Sequence, residues 1–212
     1  MIRINKQQAN EPRSWVNYRN TPGARYAASA DLRNALLAEQ GHICAFCMRR
    51  VPVPKRDPNE AEYSKIAHIN SRTNHEDMQF DFDNMVICCP GNINGTSHCD
   101  KSQGFTDVTQ PLFNIQLQNS ISYGNYTGEI KSNNEAWNTE MNNILCLNNP
   151  TLKNNRSQTL EGVRNVLERK RWTRAELQNK LDEWTNFDAA GRLKPYCGIV
   201  IWYLEKKLRQ MN

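Results

Sequence analysis

The feature that most constrains this chain is a set of paired cysteines. Cys44-Ala-Phe-Cys47 places two thiols in one tight turn, a spacing that can aim both sulfurs at a single zinc ion. One such pair is also the spacing of redox motifs. A second set follows about forty residues later: Cys88, Cys89, His98 and Cys99. Two pairs can close a tetrahedral site. The most economical set is Cys44, Cys47, Cys89 and Cys99, with Cys88 and His98 as the adjacent alternatives. The nine residues between Cys89 and Cys99 would loop out as a knuckle longer than the usual two. Cys146 and Cys197 sit inside apolar helical patterns and read as buried core thiols.

Seven cysteines is an odd number. The opening MIRINKQQANEPRSW carries no apolar stretch of the kind a secretory signal needs, so the chain is expected in the cytoplasm. Disulfides are rare there, and metal ligation becomes the better use of paired thiols. With 38% hydrophobic residues, a mean hydropathy of −0.78 and no apolar run of membrane-spanning length, no membrane partner is expected. A length of 212 residues suits one to two domains and can bury a core.

The expected fold class is α+β. Residues 1–28 read as an irregular N-terminal arm with aromatic anchors Trp15, Tyr18 and Tyr26. Residues 29–130 form a unit built around the cysteines, and residues 131–212 a helical C-terminal region. Ser29 to Gln40 reads as a helix capped by Ser29 and stopped by Gly41. The proline-bearing stretch Arg50–Asn59 reads as loop. Ser64–Asn70 and Met85–Cys88 read as short strands, Cys89–Phe105 as loop, and Ile115–Ile130 as a hairpin. In the last third, Thr159–Lys170 aligns Leu160, Val163, Val166 and Leu167. Thr173 with Glu176 forms a capping box ahead of Leu177, Leu181 and Trp184. Lys194–Arg209 repeats the apolar stripe.

The charge is unevenly spread. The stretch Lys153–Arg174 holds seven basic and two acidic residues, and its net +5 equals the excess of the whole chain. Arg169, Lys170, Arg171 and Arg174 are its candidate phosphate contacts; a solvated helix face is the plain alternative.

Between the cysteine pairs lies Ile66-Ala67-His68-Ile69, a histidine on an apolar strand. Phe82-Asp83-Asn84-Met85-Val86 comes sixteen residues after His68, measured to Asn84, and Cys99-Asp100-Lys101-Ser102-Gln103-Gly104 closes the series. This order resembles the HNH endonucleases of the ββα-metal fold. The details Cys-x-Phe-Cys, Ile-x-His-Ile, Phe-Asp-Asn and His-Cys-Asp-x-x-x-Gly are similar to the PtuB-type members, found in Septu anti-phage systems and beside some retrons. Downstream, Asp107-Val-Thr-Gln-Pro111, Gly-Glu-Ile at 128–130, Ile144–Asn149, Leu152 and Arg156 extend the resemblance over most of the chain.

The resemblance implies a ββα-metal finger with a structural zinc knuckle, held by the four chosen cysteines and joined to the helical region. It implies His68 as general base, Asn84 as the residue that orients the loop and the base, and Asp100 as ligand of one catalytic Mg²⁺ or Mn²⁺. It also implies a PtuA-type ABC ATPase as partner and DNA or tRNA as substrate. The chain has no Gly-x-x-x-x-Gly-Lys-Ser/Thr loop, so ATP would be bound by another chain. Two positions depart from the commonest family pattern. Ala67 stands where many members carry a second acidic metal ligand, and Asp100 stands where many carry histidine. His98 and Asp83 are the helpers at hand, and His75, in a polar loop, is a competing base expected to be solvated. Ala67 also supports a second expectation, a catalytically inactive zinc-stabilised module that binds nucleic acid or docks a partner.

Overall fold

The computed structural model describes residues 1–52, 64–169 and 172–211. Helix α1 (Arg13–Arg19) corrects the expectation of an irregular arm at 1–28. Its sequence, RSWVNYR, lacks a helical apolar stripe; a single ring anchors it instead. Trp15 is fully buried, donates through Nε1 to the Phe80 carbonyl at 3.1 Å, and meets the rings of Tyr26 and Phe80 at 5.9 Å. The segment before it is tied down as well. Lys6 pairs with Glu39 at 3.1 Å, lies 3.4 Å over the Phe82 ring and donates to the Met85 carbonyl at 3.2 Å.

Helix α2 (Ala30–Glu39) follows its expected course, with the Ser29 hydroxyl accepting from the Leu32 amide. Gly41 ends it with φ +57°, and a Cβ there would stand 2.6 Å from Leu193 Cγ. Glycine is needed both for that backbone and for that approach. The expected loop at Arg50–Asn59 falls largely outside the described residues.

Strand β1 (Lys65–His68) pairs antiparallel with β2 (Met85–Cys88), with Ala67 opposite Val86 and His68 opposite Met85. The stretch Cys89–Phe105 is not plain loop. It contains a two-residue ribbon, β3 (Asn92–Ile93) with β4 (Thr96–Ser97), and a short helix α3 (Asp100–Gln103). The expected hairpin at Ile115–Ile130 begins instead with a helix, α4 (Ile115–Ser120), capped by Asn114. Only then come β5 (Ile121–Tyr123) and its partner β6 (Ile130–Ser132). The Asn114 side chain satisfies an orphan amide and tips a β-tolerant sequence into a helical turn.

Helix α5 (Glu135–Thr139) runs into a π turn at Glu140–Ile144. Cys146 lies beyond it, half-buried with φ +47° and outside any helix, which corrects the reading of a helical core thiol. Helix α6 (Pro150–Glu168) starts nine residues earlier than the Thr159 expected, because Asn149 caps it and Pro150 opens it. Its buried stripe is Leu152, Arg156, Leu160, Val163 and Leu167; Val166 faces solvent. Helix α7 (Arg174–Thr185) has the expected capping box, and α8 (Cys197–Gln210) packs against α6, α7 and β5. One hydrophobic cluster joins Trp15, Leu36, Phe46, Ile87, Leu117, Leu152 and Ile199. Among the described residues no helix is long and apolar enough to cross a membrane.

Arg156 interrupts the α6 stripe. It is 1% exposed and donates to the carbonyls of Gly128 at 2.6 Å and Leu147 at 2.8 Å, and to Asn148 Oδ1 at 3.1 Å. It is thus a clamp between α6 and the segments on either side of β6, and one of the seven basic residues of 153–174 is unavailable to a phosphate. Arg156→Ala strands the Gly128 and Leu147 carbonyls, takes one of two donors from Asn148 Oδ1, and leaves a cavity. The expected loss is about 3 kcal/mol or more, measured as a lowered urea midpoint.

Candidate functional site

The sulfur cluster is assembled from two loops. Around Cys44 and Cys47 the chain folds back on itself, with Cys44 N–H donating to the Arg49 carbonyl at 2.8 Å and Met48 N–H to the Cys44 carbonyl at 2.9 Å. Arg50 clamps this turn, donating to the carbonyls of Gly41, His42 and Leu193. Cys89 follows β2 and Cys99 precedes α3. The β3–β4 ribbon between them closes through His98 N–H to the Gly91 carbonyl at 2.9 Å. At Gly91, φ +73°, a Cβ would stand 2.6 Å from the His98 carbonyl oxygen, so a side chain there would prise the knuckle open. The long spacing between Cys89 and Cys99 is therefore a folded hairpin that returns the chain to its starting point.

The ligand atoms of Cys44, Cys47, Cys89 and Cys99 all lie within 4.8 Å of one another, and all four residues are buried. Cys44 Sγ is 3.8 Å from Cys99 Sγ, and Cys47 Sγ is 3.7 Å from Cys89 Sγ. Four sulfurs at zinc–sulfur bonds of about 2.3 Å form a tetrahedron with edges of about 3.8 Å. Burial pushes the Cys47 and Cys99 thiols well up. Burial also works against a charged Cys44, yet hydrogen bonds from neighbouring thiols hold it well below the usual range. Cys89 is lowered as well, to about 7, with Cys44 opposing and hydrogen bonds from Cys47 and Cys99 favouring its thiolate; four thiolates could share so dry a place only around a cation. The four cysteines could hold a structural metal such as zinc. Cys88 is buried beside them, outside the four. The His98 ring is fully buried, with Nδ1 3.1 Å from Cys99 Sγ and Nε2 without a hydrogen-bond partner among the described residues.

A second site lies along β1 and α3. A polar cleft of about 490 Å³ is lined by His68, Asp100, Arg33, Lys65 and Arg72, among others. His68 is 8% exposed. Its Nε2 lies 3.0 Å from the Gln79 carbonyl oxygen, which can only accept, so Nε2 carries the proton and Nδ1 keeps the lone pair. Burial lowers its pKa to about 4, with the Gln79 hydrogen bond opposing and Arg72 adding to the shift. The imidazole is therefore neutral at pH 7. The ring of Tyr26 meets it edge-on at 4.9 Å, and Arg72 lies 4.4 Å over the Tyr26 ring.

Asp100 opens α3, half-buried; burial raises its carboxyl pKa while Lys65 pulls the other way. Asn84 holds the loop between the strands. Its Oδ1 accepts from the Asn70 amide at 2.8 Å, and its Nδ2 donates to the carbonyls of Asn70 and Met78 at 3.0 and 3.1 Å. Gln103 reaches from α3 to donate to the His68 carbonyl at 2.9 Å and the Thr106 carbonyl at 3.0 Å.

The other expectations are placed as follows. His75 is not merely solvated: it pairs with Asp107 at 2.8 Å, while Asp107 also accepts from the Ser71 amide. Asp83 is exposed on a turn and does not line the cleft. Arg169 and Arg174 are exposed at the facing ends of α6 and α7, and neither lines the cleft; Lys170 and Arg171 lie outside the described residues. Arg33, Lys65 and Arg72 were not singled out from the sequence. Each is an isolated cation there, and only folding brings α2, β1 and the following loop to one wall. No family model matches this chain, and no curated protein matches it.

Proposed function

We propose that the chain is a metal-dependent endonuclease of the HNH type, hydrolysing phosphodiester bonds of nucleic acid. The observation that carries this is a neutral, buried imidazole and a carboxylate opening into one polar cleft with three cations. His68 takes the proton of the attacking water through Nδ1, Gln79 holding the ring by its other nitrogen. Asn84 keeps the β1–β2 loop, and with it Gln79, in register. Arg33, Lys65 and Arg72 orient and neutralise the phosphate. A divalent cation held by Asp100 would supply charge stabilisation at the leaving oxygen. The donor set fits such an ion only loosely, since Mg²⁺ prefers six oxygens and one carboxylate leaves the rest to water and substrate. The ββα order of β1, β2 and α3 beside a cysteine cluster suited to structural zinc supports the same reading.

By the resemblance of its motifs, the chain would be the effector of an anti-phage system, working in the cytoplasm with a PtuA-type ABC ATPase on DNA or tRNA. A second reading, an inactive zinc-stabilised binding or docking module, is favoured by Ala67, which is 1% exposed and offers no ligand. Incubation with Mg²⁺ or Mn²⁺, with and without the ATPase, on plasmid DNA and total tRNA separates the two. Cleavage is expected at millimolar-scale Mn²⁺, and Asp100→Ala is expected to abolish it while zinc stays bound. Identical rate curves against Mn²⁺ for wild type and Asp100→Ala would remove Asp100 from the site. No cleavage under any condition favours the inactive module.

A further inference from the structure

The rim of the His68 cleft differs in character from its walls. Phe105 lines it, 73% exposed as a residue. Single exposed apolar residues are ordinary on protein surfaces, but three observations set this one apart. It borders a cleft that carries Arg33, Lys65 and Arg72. Its backbone is held: the Phe105 carbonyl accepts from Asn74 Nδ2 at 3.0 Å, and Thr106 N–H donates to the Gln103 carbonyl at 3.1 Å. Finally, the other aromatic ring of the cleft is already engaged, since Tyr26 has Arg72 over its face and His68 at its edge.

Resting on the nuclease reading above, we propose that Phe105 is a stacking platform for an unpaired nucleobase beside the phosphate held in the cleft. The substrate is then a single-stranded or looped-out segment rather than intact duplex. A base inside a duplex has both faces covered by its neighbours and can offer none to Phe105. An unpaired base can, and because every base has a π face the contact tolerates any sequence. The cations alone would take the phosphates of single and double strands alike. The ring therefore adds what the charges cannot, a preference for unstacked strand. A ring with two rotatable bonds on a tethered backbone loses little freedom in making that contact.

The test is a binding titration with the intact, zinc-loaded chain, without added Mg²⁺ or Mn²⁺. The probes are labelled oligonucleotides of one sequence as single-stranded DNA, single-stranded RNA and DNA duplex. Phe105→Ala is expected to weaken binding of single strands by about 5- to 100-fold and to leave duplex binding unchanged. Phe105→Trp should restore the single-strand affinity, and because the side chain is exposed both variants should keep the wild-type melting temperature. A loss confined to DNA or to RNA supports the platform and names the strand. An unchanged affinity in Phe105→Ala, or an equal loss on duplex, overturns the platform and leaves the nuclease reading intact. If the wild type binds none of the probes, the platform fails, while the nuclease reading is decided separately by the cleavage assay with Mg²⁺ or Mn²⁺ described above.

Discussion

Cys44→Ser is expected to give a chain that no longer holds a folded structure. Structural zinc contributes on the order of 10 kcal/mol of folding free energy, and domains are stable by only about 5–15 kcal/mol in total. The effect is large because the four sulfurs join three separate pieces of backbone: the Cys44–Cys47 turn, the end of β2 and the start of α3. Removing one ligand releases all three. Elemental analysis of the wild type should give one equivalent of zinc, and less than half an equivalent would sink the assignment. Far-UV circular dichroism and the soluble yield of Cys44→Ser give the folding readout. Cys146→Ser is the control, since that thiol lies outside the cluster and its zinc content should match the wild type.

His68→Ala is expected to lower the rate of phosphodiester cleavage by about 10²- to 10⁴-fold, the usual contribution of a positioned general base. Zinc content should be unchanged. A variant as fast as wild type would move the role to His75, since the His98 ring is fully buried against Cys99. The pH dependence is a second check. The His68 pKa is about 4 in the folded chain against the ordinary histidine value of 6.5, so protonation favours the unfolded chain. Its contribution to stability is therefore full above pH 6.5 and is lost as pH falls towards 4. The loss amounts to roughly 3 kcal/mol. Urea midpoints measured between pH 7 and 4 should fall less steeply in His68→Ala than in wild type. The base stays neutral from pH 7 down to about pH 5, a unit above its pKa of about 4, so a cleavage rate limited by a group titrating near pH 6.5 would argue against His68.

The cysteine spacing was legible because it is local chemistry. Two thiols two residues apart can serve one ion whatever surrounds them, and the structure selects the same four of the six candidate donors. Helix α2 and the start of α7 were legible for the same reason. Ser29 and the Thr173–Glu176 pair satisfy amides within their own first turns. Other elements escaped because distant partners decide them. Helix α1 depends on Trp15 finding Phe80, and Gly41 on the close approach of Leu193. Arg156 could have been noticed as a cation in an apolar stripe. Its partners, Gly128, Leu147 and Asn148, are carbonyl or amide oxygens that no charge pattern marks.

The cleft shows the same division. His68 on a strand, Asn84 before one and Asp100 after a thiolate could be picked out by their order along the chain. That order does not say which cations face them. The basic segment near Arg169 was conspicuous because like charges cluster in sequence, yet Arg169 and Arg174 do not line the cleft. Arg33, Lys65 and Arg72 do, contributed singly by α2, β1 and the loop that follows. Sequence alone therefore marked out the four cysteines that the structure brings together, and His68 and Asp100, which share the cleft, because spacing and side-chain chemistry are properties of short stretches. Only the tertiary structure decided which charges share a wall with them and how dry that wall is. Electrostatic interaction depends on distance and dielectric through space, and neither is written along the chain.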